Sequence, residues 1–211
     1  MTVIIFGARY ATRTQRVLLI LEILGIPYEL KNIDMQKGEH CSPDFIASHH
    51  PFGKLPALED GNVKLFESRA ISRYLVSKYP GSLSLPTDSA ALGLFEEAAS
   101  VEYSYFEPAA SKLGFEKIFK KMFTGQEADA NVVQQLEIDL RKVLDYYETI
   151  LADRKWLAGQ EFSLIDVFNV PWFSFLVGRL GYENDITSRP HVKAWWEAAS
   201  ANPAWKKVSG A

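Results

Sequence analysis

The residue types that could do chemistry in this 211-residue chain gather near two expected helix starts. One is Tyr10-Ala11-Thr12-Arg13, ahead of an apolar run, and the other is Glu67-Ser68-Arg69. A helix N-terminus offers unpaired amides and the positive end of the helix dipole, so it favours an anion. The hydroxyls of Thr12 and Ser68 add a donor at each start. Each also has an ordinary role as a helix cap, and capping and ligand binding are compatible. Glu67 and Lys54, taken alone, read as solvated surface charges. The single cysteine, Cys41, excludes an internal disulfide and fits a reducing compartment. No Gly-rich phosphate loop, dinucleotide fingerprint, H-E-x-x-H or C-x-x-C occurs. The four histidines are scattered, so no metal site is expected, and His49, His50 and His191 receive no role.

These groups need elements to position them. Val3 to Phe6 reads as a buried strand bounded by Gly7. Thr12 and Gln15 have capping-box spacing, which puts Thr12 at the N-cap of the next helix. Val17, Ile20, Leu21 and Leu24 then recur at helical spacing, Gly25 supplies a left-handed end, and Pro27 forbids continuation. Tyr28 to Asp34 alternates as a second strand, which suggests a βαβ unit with parallel pairing. Residues 35–53 are irregular, with a short helix expected after Ser42-Pro43. Leu55 to Leu58 and Val63 to Phe66 flank Asp60-Gly61-Asn62, a hairpin signal. Ser68 opens a helix that ends at Tyr79-Pro80-Gly81. The order β-α-β, irregular segment, β-β-α is that of a thioredoxin-like α/β domain over residues 1–79.

Residues 80–89 are rich in Pro, Gly and Ser and read as a linker. From residue 90 to 211 the apolar period is helical, so an all-α domain is expected. Leu92 to Lys121 is one long helical stretch with breaks expected at Pro108 and Gly114. Val133, Leu136, Leu140, Val143, Leu144, Tyr147 and Leu151 form an amphipathic stripe. Ser163 and Asp166 match a second capping box, and a last short helix carrying Trp195 and Trp196 is limited by Pro203. Hydrophobic residues make up 47% and charged residues 23%, with net charge −3. That composition excludes disorder and lacks the basic surface that nucleic acid or a membrane face would need. The most apolar run, Val167 to Val177, is interrupted and shorter than the roughly 20 residues of a membrane span. With no secretory signal visible, a cytoplasmic location is expected.

Pro51-Phe52-Gly53-Lys54-Leu55-Pro56-Ala57-Leu58 followed by Leu65-Phe66-Glu67-Ser68-Arg69-Ala70-Ile71 resembles the glutathione-site core of cytosolic glutathione transferases, nearest the phi class of plants and fungi. Glu39-His40, Leu157-Ala158-Gly159, Ser163 to Asp166 and Pro190 to Trp196 fit the same class, in order along nearly the whole chain. The resemblance implies glutathione as co-substrate, no further cofactor, a small hydrophobic electrophile as second substrate, and a homodimer. Glu67 would then meet the γ-glutamyl ammonium and Ser68 the γ-glutamyl carboxylate. Lys54 and His40 would hold the glycyl carboxylate. A cis Leu55–Pro56 bond would aim the Leu55 backbone at the cysteinyl unit.

One position departs from the pattern. The serine hydroxyl that the phi class uses at the first helix aligns with Ala11, which donates nothing. Thr12 is the expected thiolate stabiliser in its place. Tyr10 is a second candidate, and the bare helix amides a third. Cys41 is expected to be a bystander. The acceptor pocket is expected between the two domains, with Tyr10, Met35, Phe115 and Phe119 as lining. Phe52, Arg69 and Arg73 are candidate dimer residues. A glutathione-binding ligandin with weak or no transferase activity is the alternative that Ala11 favours.

Overall fold

The computed structural model describes residues 2–210. The chain up to Leu85, together with the chain from Asn202 onward, forms one compact unit, and Pro86–Ala201 forms the other.

The first unit begins with strand β1 (Val3–Gly7), helix α1 (Thr12–Ile23) and strand β2 (Tyr28–Asn32). A 3-10 turn at Glu39–Cys41 leads to the short helix α2 (Pro43–Ser48), capped by the Ser42 side chain. Strands β3 (Ala57–Asp60) and β4 (Val63–Phe66) form a hairpin, followed by helix α3 (Ser68–Lys78). The sheet order is β2-β1-β3-β4. β1 runs parallel to β2, with Val3 opposite Tyr28, and antiparallel to β3, with Phe6 opposite Ala57. This is the thioredoxin-like arrangement that the sequence order implies. Gly61 has φ +63° in the Asp60-Gly61-Asn62 turn, and Gly25 has φ +64° just after α1. Both are left-handed positions that glycine fills without strain. Val17, Leu18, Ile20 and Leu21 of α1 and Ile71 and Leu75 of α3 are fully buried beside Val3 and Ile5 of β1.

The start of α1 differs from expectation. Ala11, not Thr12, is the N-cap: its backbone is extended (φ −78°, ψ 127°) and no side chain caps the helix. A turn closed by the Ala11 N–H donating to the Ala8 carbonyl (2.9 Å) brings the chain into the helix one residue early. The Ala11 carbonyl then accepts from the Gln15 N–H at 2.9 Å. Thr12 is the first helical residue, and the Thr12–Gln15 capping box is not formed.

The end of the chain also departs from the expected helical domain. Helix α11 (Pro203–Ser209) lies in the first unit. Its Trp205 and Val208 are buried, and the Lys207 ammonium is 2.6 Å from the Glu22 carboxylate of α1. Leu83 within the expected linker is also buried in this unit.

The second unit holds α4 (Ser89–Val101), α5 (Glu107–Gly114), α6 (Lys120–Thr124), α7 (Ala130–Leu151), α8 (Leu164–Leu180), α9 (Glu183–Thr187) and α10 (Pro190–Ser200). The stretch from Leu92 to Lys121 is broken by π-helical turns at Glu102–Phe106 and Phe115–Phe119, beside the expected Pro108 and Gly114. Phe106, Tyr147, Phe173 and Trp195 pack ring against ring in its core, Phe173 stacked on Phe106 and Tyr147 and edge-on to Trp195. No helix among the described residues is long and apolar enough to cross a membrane.

Asp166 organises the entry to α8. The expected capping box is present, with Ser163 as N-cap. The fully buried Asp166 carboxylate accepts from the Ser163 and Leu157 amides (2.8 and 3.0 Å), the Ser163 hydroxyl (3.1 Å) and the Trp195 indole (2.7 Å). Burial pushes its pKa above the ordinary carboxylate value, against the downward pull of these four donors. Asp166→Ala leaves the buried Leu157 amide and Trp195 indole without an acceptor and removes half of the capping box. It is expected to destabilise the protein by about 3 kcal/mol, read from the midpoint of urea unfolding.

Candidate functional site

The site is built where α1 and α3 begin and where the chain turns into β3. Leu55–Pro56 is a cis peptide bond, as the resemblance implies. Leu55 is buried in an apolar cluster with Ala8 and Phe45, and Phe6, Ala11, Ile33 and Met35 pack against it. The structure therefore brings Ala11, Leu55 and Met35 together. Thr12 follows Ala11 directly and is half-buried, and Tyr10 before it is 62% exposed. Among the described residues no hydrogen bond engages the Thr12 hydroxyl, because Ala11 holds the cap position.

Gly7 sets how closely α1 approaches the sheet. A Cβ at Gly7 would lie 2.6 Å from Thr14 Cγ2 and 2.8 Å from its Oγ1, so the first turn of α1 rests directly on the end of β1. At the opposite loop, Gly53 has φ +56°, and a Cβ there would meet the His40 carbonyl at 3.1 Å and Cys41 Sγ at 3.7 Å. That approach sets the His40 turn against Gly53-Lys54. His40 is half-buried, while Lys54 and Cys41 are exposed.

Glu67 and Ser68 sit at the start of α3. Glu67 is its N-cap and has φ +69°, the one non-glycine with positive φ among the described residues. This left-handed conformation costs about 1–3 kcal/mol and persists only where the surroundings over-determine it. The Glu67 side chain makes no capping bond and is 63% exposed. Ser68 is the first helical residue rather than the cap, and it is buried. The first-turn amides of the helix, that of Ser68 among them, have no intrahelical acceptor.

Two residues that sequence reasoning passed over belong to this constellation. Arg16 of α1 is completely buried, and its Nη1 donates to Ser68 Oγ at 2.9 Å. The only sequence signal was a cation one residue before an apolar helical face. His50 is 2% exposed, and its Nε2 lies 3.9 Å from Glu67 Oε1. Burial lowers its pKa; the Glu67 carboxylate opposes that shift and Lys54 adds to it. Its only signal was adjacency to the Pro51–Leu58 motif.

Phe115 and Phe119 lie in the second unit. Phe115 is 45% exposed, and Phe119 stacks between Phe123 and Phe175 at 6.1 Å from each ring.

Gly7→Ala is expected to cost about 1–3 kcal/mol, since both chain segments must shift to admit the methyl. Thermal unfolding measures this, and an unchanged midpoint would mean that the α1–β1 approach is slack.

Comparison with known proteins follows this geometry. Residues 1–77 match the glutathione S-transferase N-terminal domain family, and residues 104–203 match the C-terminal domain family. The chain is 43% identical over 202 residues to glutathione S-transferase PM239X14 of Arabidopsis thaliana, covering 94% of this chain and 91% of that one. The crystal structure of glutathione transferase F7 from Populus trichocarpa superposes with a TM-score of 0.92 at 35% identity, covering 99% of this chain and 98% of that one. Glutathione S-transferase I from maize, in complex with an atrazine glutathione conjugate, gives 0.90 at 32% identity, covering 100% and 97%. The two family matches, the identities over nearly the full length and the cis-proline site together place this chain in the glutathione S-transferase family, beside its plant phi-class members.

Proposed function

We propose that this protein binds reduced glutathione on its first unit, stabilises the thiolate, and transfers it to a small hydrophobic electrophile. The observation that carries this reading is the start of α3. A carboxylate at Glu67, a buried hydroxyl at Ser68 and open helix amides lie within two consecutive residues. That is the complement of the ammonium and carboxylate on one γ-glutamyl end. The His40 carbonyl lies against Gly53, the residue before Lys54, and the donor side chains of His40 and Lys54 suit the glycyl carboxylate. In this reading the backbone of Leu55 would pair with the cysteinyl unit as an added strand.

In this reading the thiol lies at the start of α1. A free thiol has a pKa near ~8.5, and each unit of lowering takes ~1.4 kcal/mol of preferential stabilisation. Thr12 supplies a hydroxyl that no cap bond occupies, and the amides of the first helical turn supply further donors. Tyr10 and Met35 give the electrophile an apolar wall on the same unit, and Phe115 and Phe119 remain proposed acceptor residues of the second. The maize relative's bound atrazine conjugate supports an electrophile of this kind. The protein needs to hold the two reactants together and stabilise the anion, with no other cofactor. A cytoplasmic homodimer completes the proposal. Phe52, 72% exposed next to the glutathione loop, is its proposed contact with the second subunit.

A second reading is favoured by Ala11, which removes the hydroxyl that the phi class uses. The protein would then be a ligandin that keeps glutathione without transferring it. Conjugation of glutathione to a simple aromatic chloride separates the two, and retention on immobilised glutathione is common to both. Failure of that retention would remove both readings.

Thr12→Val should raise the pKa of the bound thiol by about one to two units, the worth of one hydrogen bond to a charged group. Conjugation at neutral pH should slow in step. Thiolate absorbance against pH measures the shift, and an unchanged curve would leave the amides of α1 as the whole of the anion's support.

A further inference from the structure

We propose that His50 is a positioning residue of this site, one whose Nε2–H orients the Glu67 carboxylate toward the γ-glutamyl ammonium. The inference rests on the glutathione reading above and adds to it a residue outside the family motif.

The imidazole is fixed on every side. Its Nδ1 accepts from the Phe52 N–H at 3.3 Å. That bond requires a lone pair on Nδ1 and so places the ring hydrogen of the neutral form on Nε2. Phe66 packs against the ring at 4.7 Å between centroids, and Phe52 meets it edge-on at 6.2 Å. With 2% of its surface exposed, the ring has no alternative orientation toward water. The remaining nitrogen lies 3.9 Å from Glu67 Oε1, beyond a hydrogen bond, and a rotation of the exposed Glu67 side chain closes that gap.

Glu67 needs such a partner. Its carboxylate is 63% exposed on a backbone held at φ +69°, and no capping bond restrains it. A fixed donor to one oxygen selects one rotamer and leaves the other oxygen for the ammonium. The Phe52 amide satisfies only the acceptor nitrogen of the ring; the donor nitrogen still needs a partner, and the acidic group of the binding motif lies 3.9 Å from it.

The charge state matters as well. The charged groups facing His50 are the Glu67 carboxylate, which favours the imidazolium, and the Lys54 ammonium, which with burial disfavours it. Protonation would place a hydrogen on Nδ1 against the Phe52 N–H and a cation beside the site of the ammonium. Both effects weaken glutathione binding. Because the pKa of His50 lies below the ordinary 6.5, the neutral form and full affinity persist to pH values under that figure and are lost as the pH falls further.

The test compares glutathione with its deamino analogue, in which hydrogen replaces the γ-glutamyl ammonium. His50→Ala should weaken glutathione binding about tenfold, with the loss in KM for glutathione rather than in kcat, and should leave the analogue's affinity at the wild-type value. His50→Gln, whose amide nitrogen can reach the place of Nε2, should restore affinity to within about threefold. If His50→Ala weakens both ligands equally, or neither, the proposal is overturned and His50 is a packing residue. Should the alanine variant not fold, His50→Phe, which keeps a packed ring and lacks the donor, decides: it must weaken glutathione and spare the analogue, and an equal effect on both overturns the proposal. Wild-type protein that binds neither ligand would instead overturn the glutathione reading itself.

Discussion

The left-handed backbone at Glu67 is the constraint on which the site depends. An L-residue at φ +69° is disfavoured, and glycine would relieve it. The chain keeps a glutamate there. That conformation turns β4 abruptly into α3, so the carboxylate, the Ser68 hydroxyl and the first helical amides occupy one end of the same element. What surrounds them over-determines the turn. Arg16 reaches across from α1 to Ser68, and His50 stands behind Glu67. The thioredoxin-like sheet provides the frame: β1 is paired on both sides, and α1 rests on its end at Gly7.

The second helix start works by subtraction. At α1 the N-cap is an alanine, so no side-chain oxygen competes for the first-turn amides. The cost is a cap; the consequence is a dipole end and a Thr12 hydroxyl that no cap bond occupies among the described residues. Ala11 also packs against Leu55, the residue before the cis proline. The small side chain joins the apolar floor where a related enzyme would present an oxygen. The two helix starts are thus asymmetric: one is rich in charged and hydroxyl groups, the other relies on backbone and a single neighbour.

The sheet was legible because its signals were local. Val3 to Phe6, the Asp60-Gly61-Asn62 turn and the Gly25-Pro27 stop each reflect backbone preferences of a few residues. The capping box at Ser163–Asp166 was legible for the same reason. The false box at Thr12–Gln15 shows the limit of spacing. The Ala8–Ala11 turn, which no residue type announced, and the tertiary packing of Ala11 decided where α1 began. Arg16 and His50 were not legible, because each owes its place to a partner distant in sequence: Ser68 is 52 residues from Arg16, and Glu67 belongs to another element than His50. Pro203 marked the end of a helix correctly, but nothing local said that α11 would return to the first unit, where Trp205 is buried and Lys207 pairs with Glu22.

The most direct measurement is the crystal structure of this protein soaked with reduced glutathione. The account places the γ-glutamyl ammonium within about 3 Å of the Glu67 carboxylate and the adjoining carboxylate at the same distance from the Ser68 amide or hydroxyl. The sulfur then lies toward the start of α1. A tripeptide bound the other way round, with its glycyl end at Glu67 and Ser68, or a site empty at millimolar ligand, would contradict it.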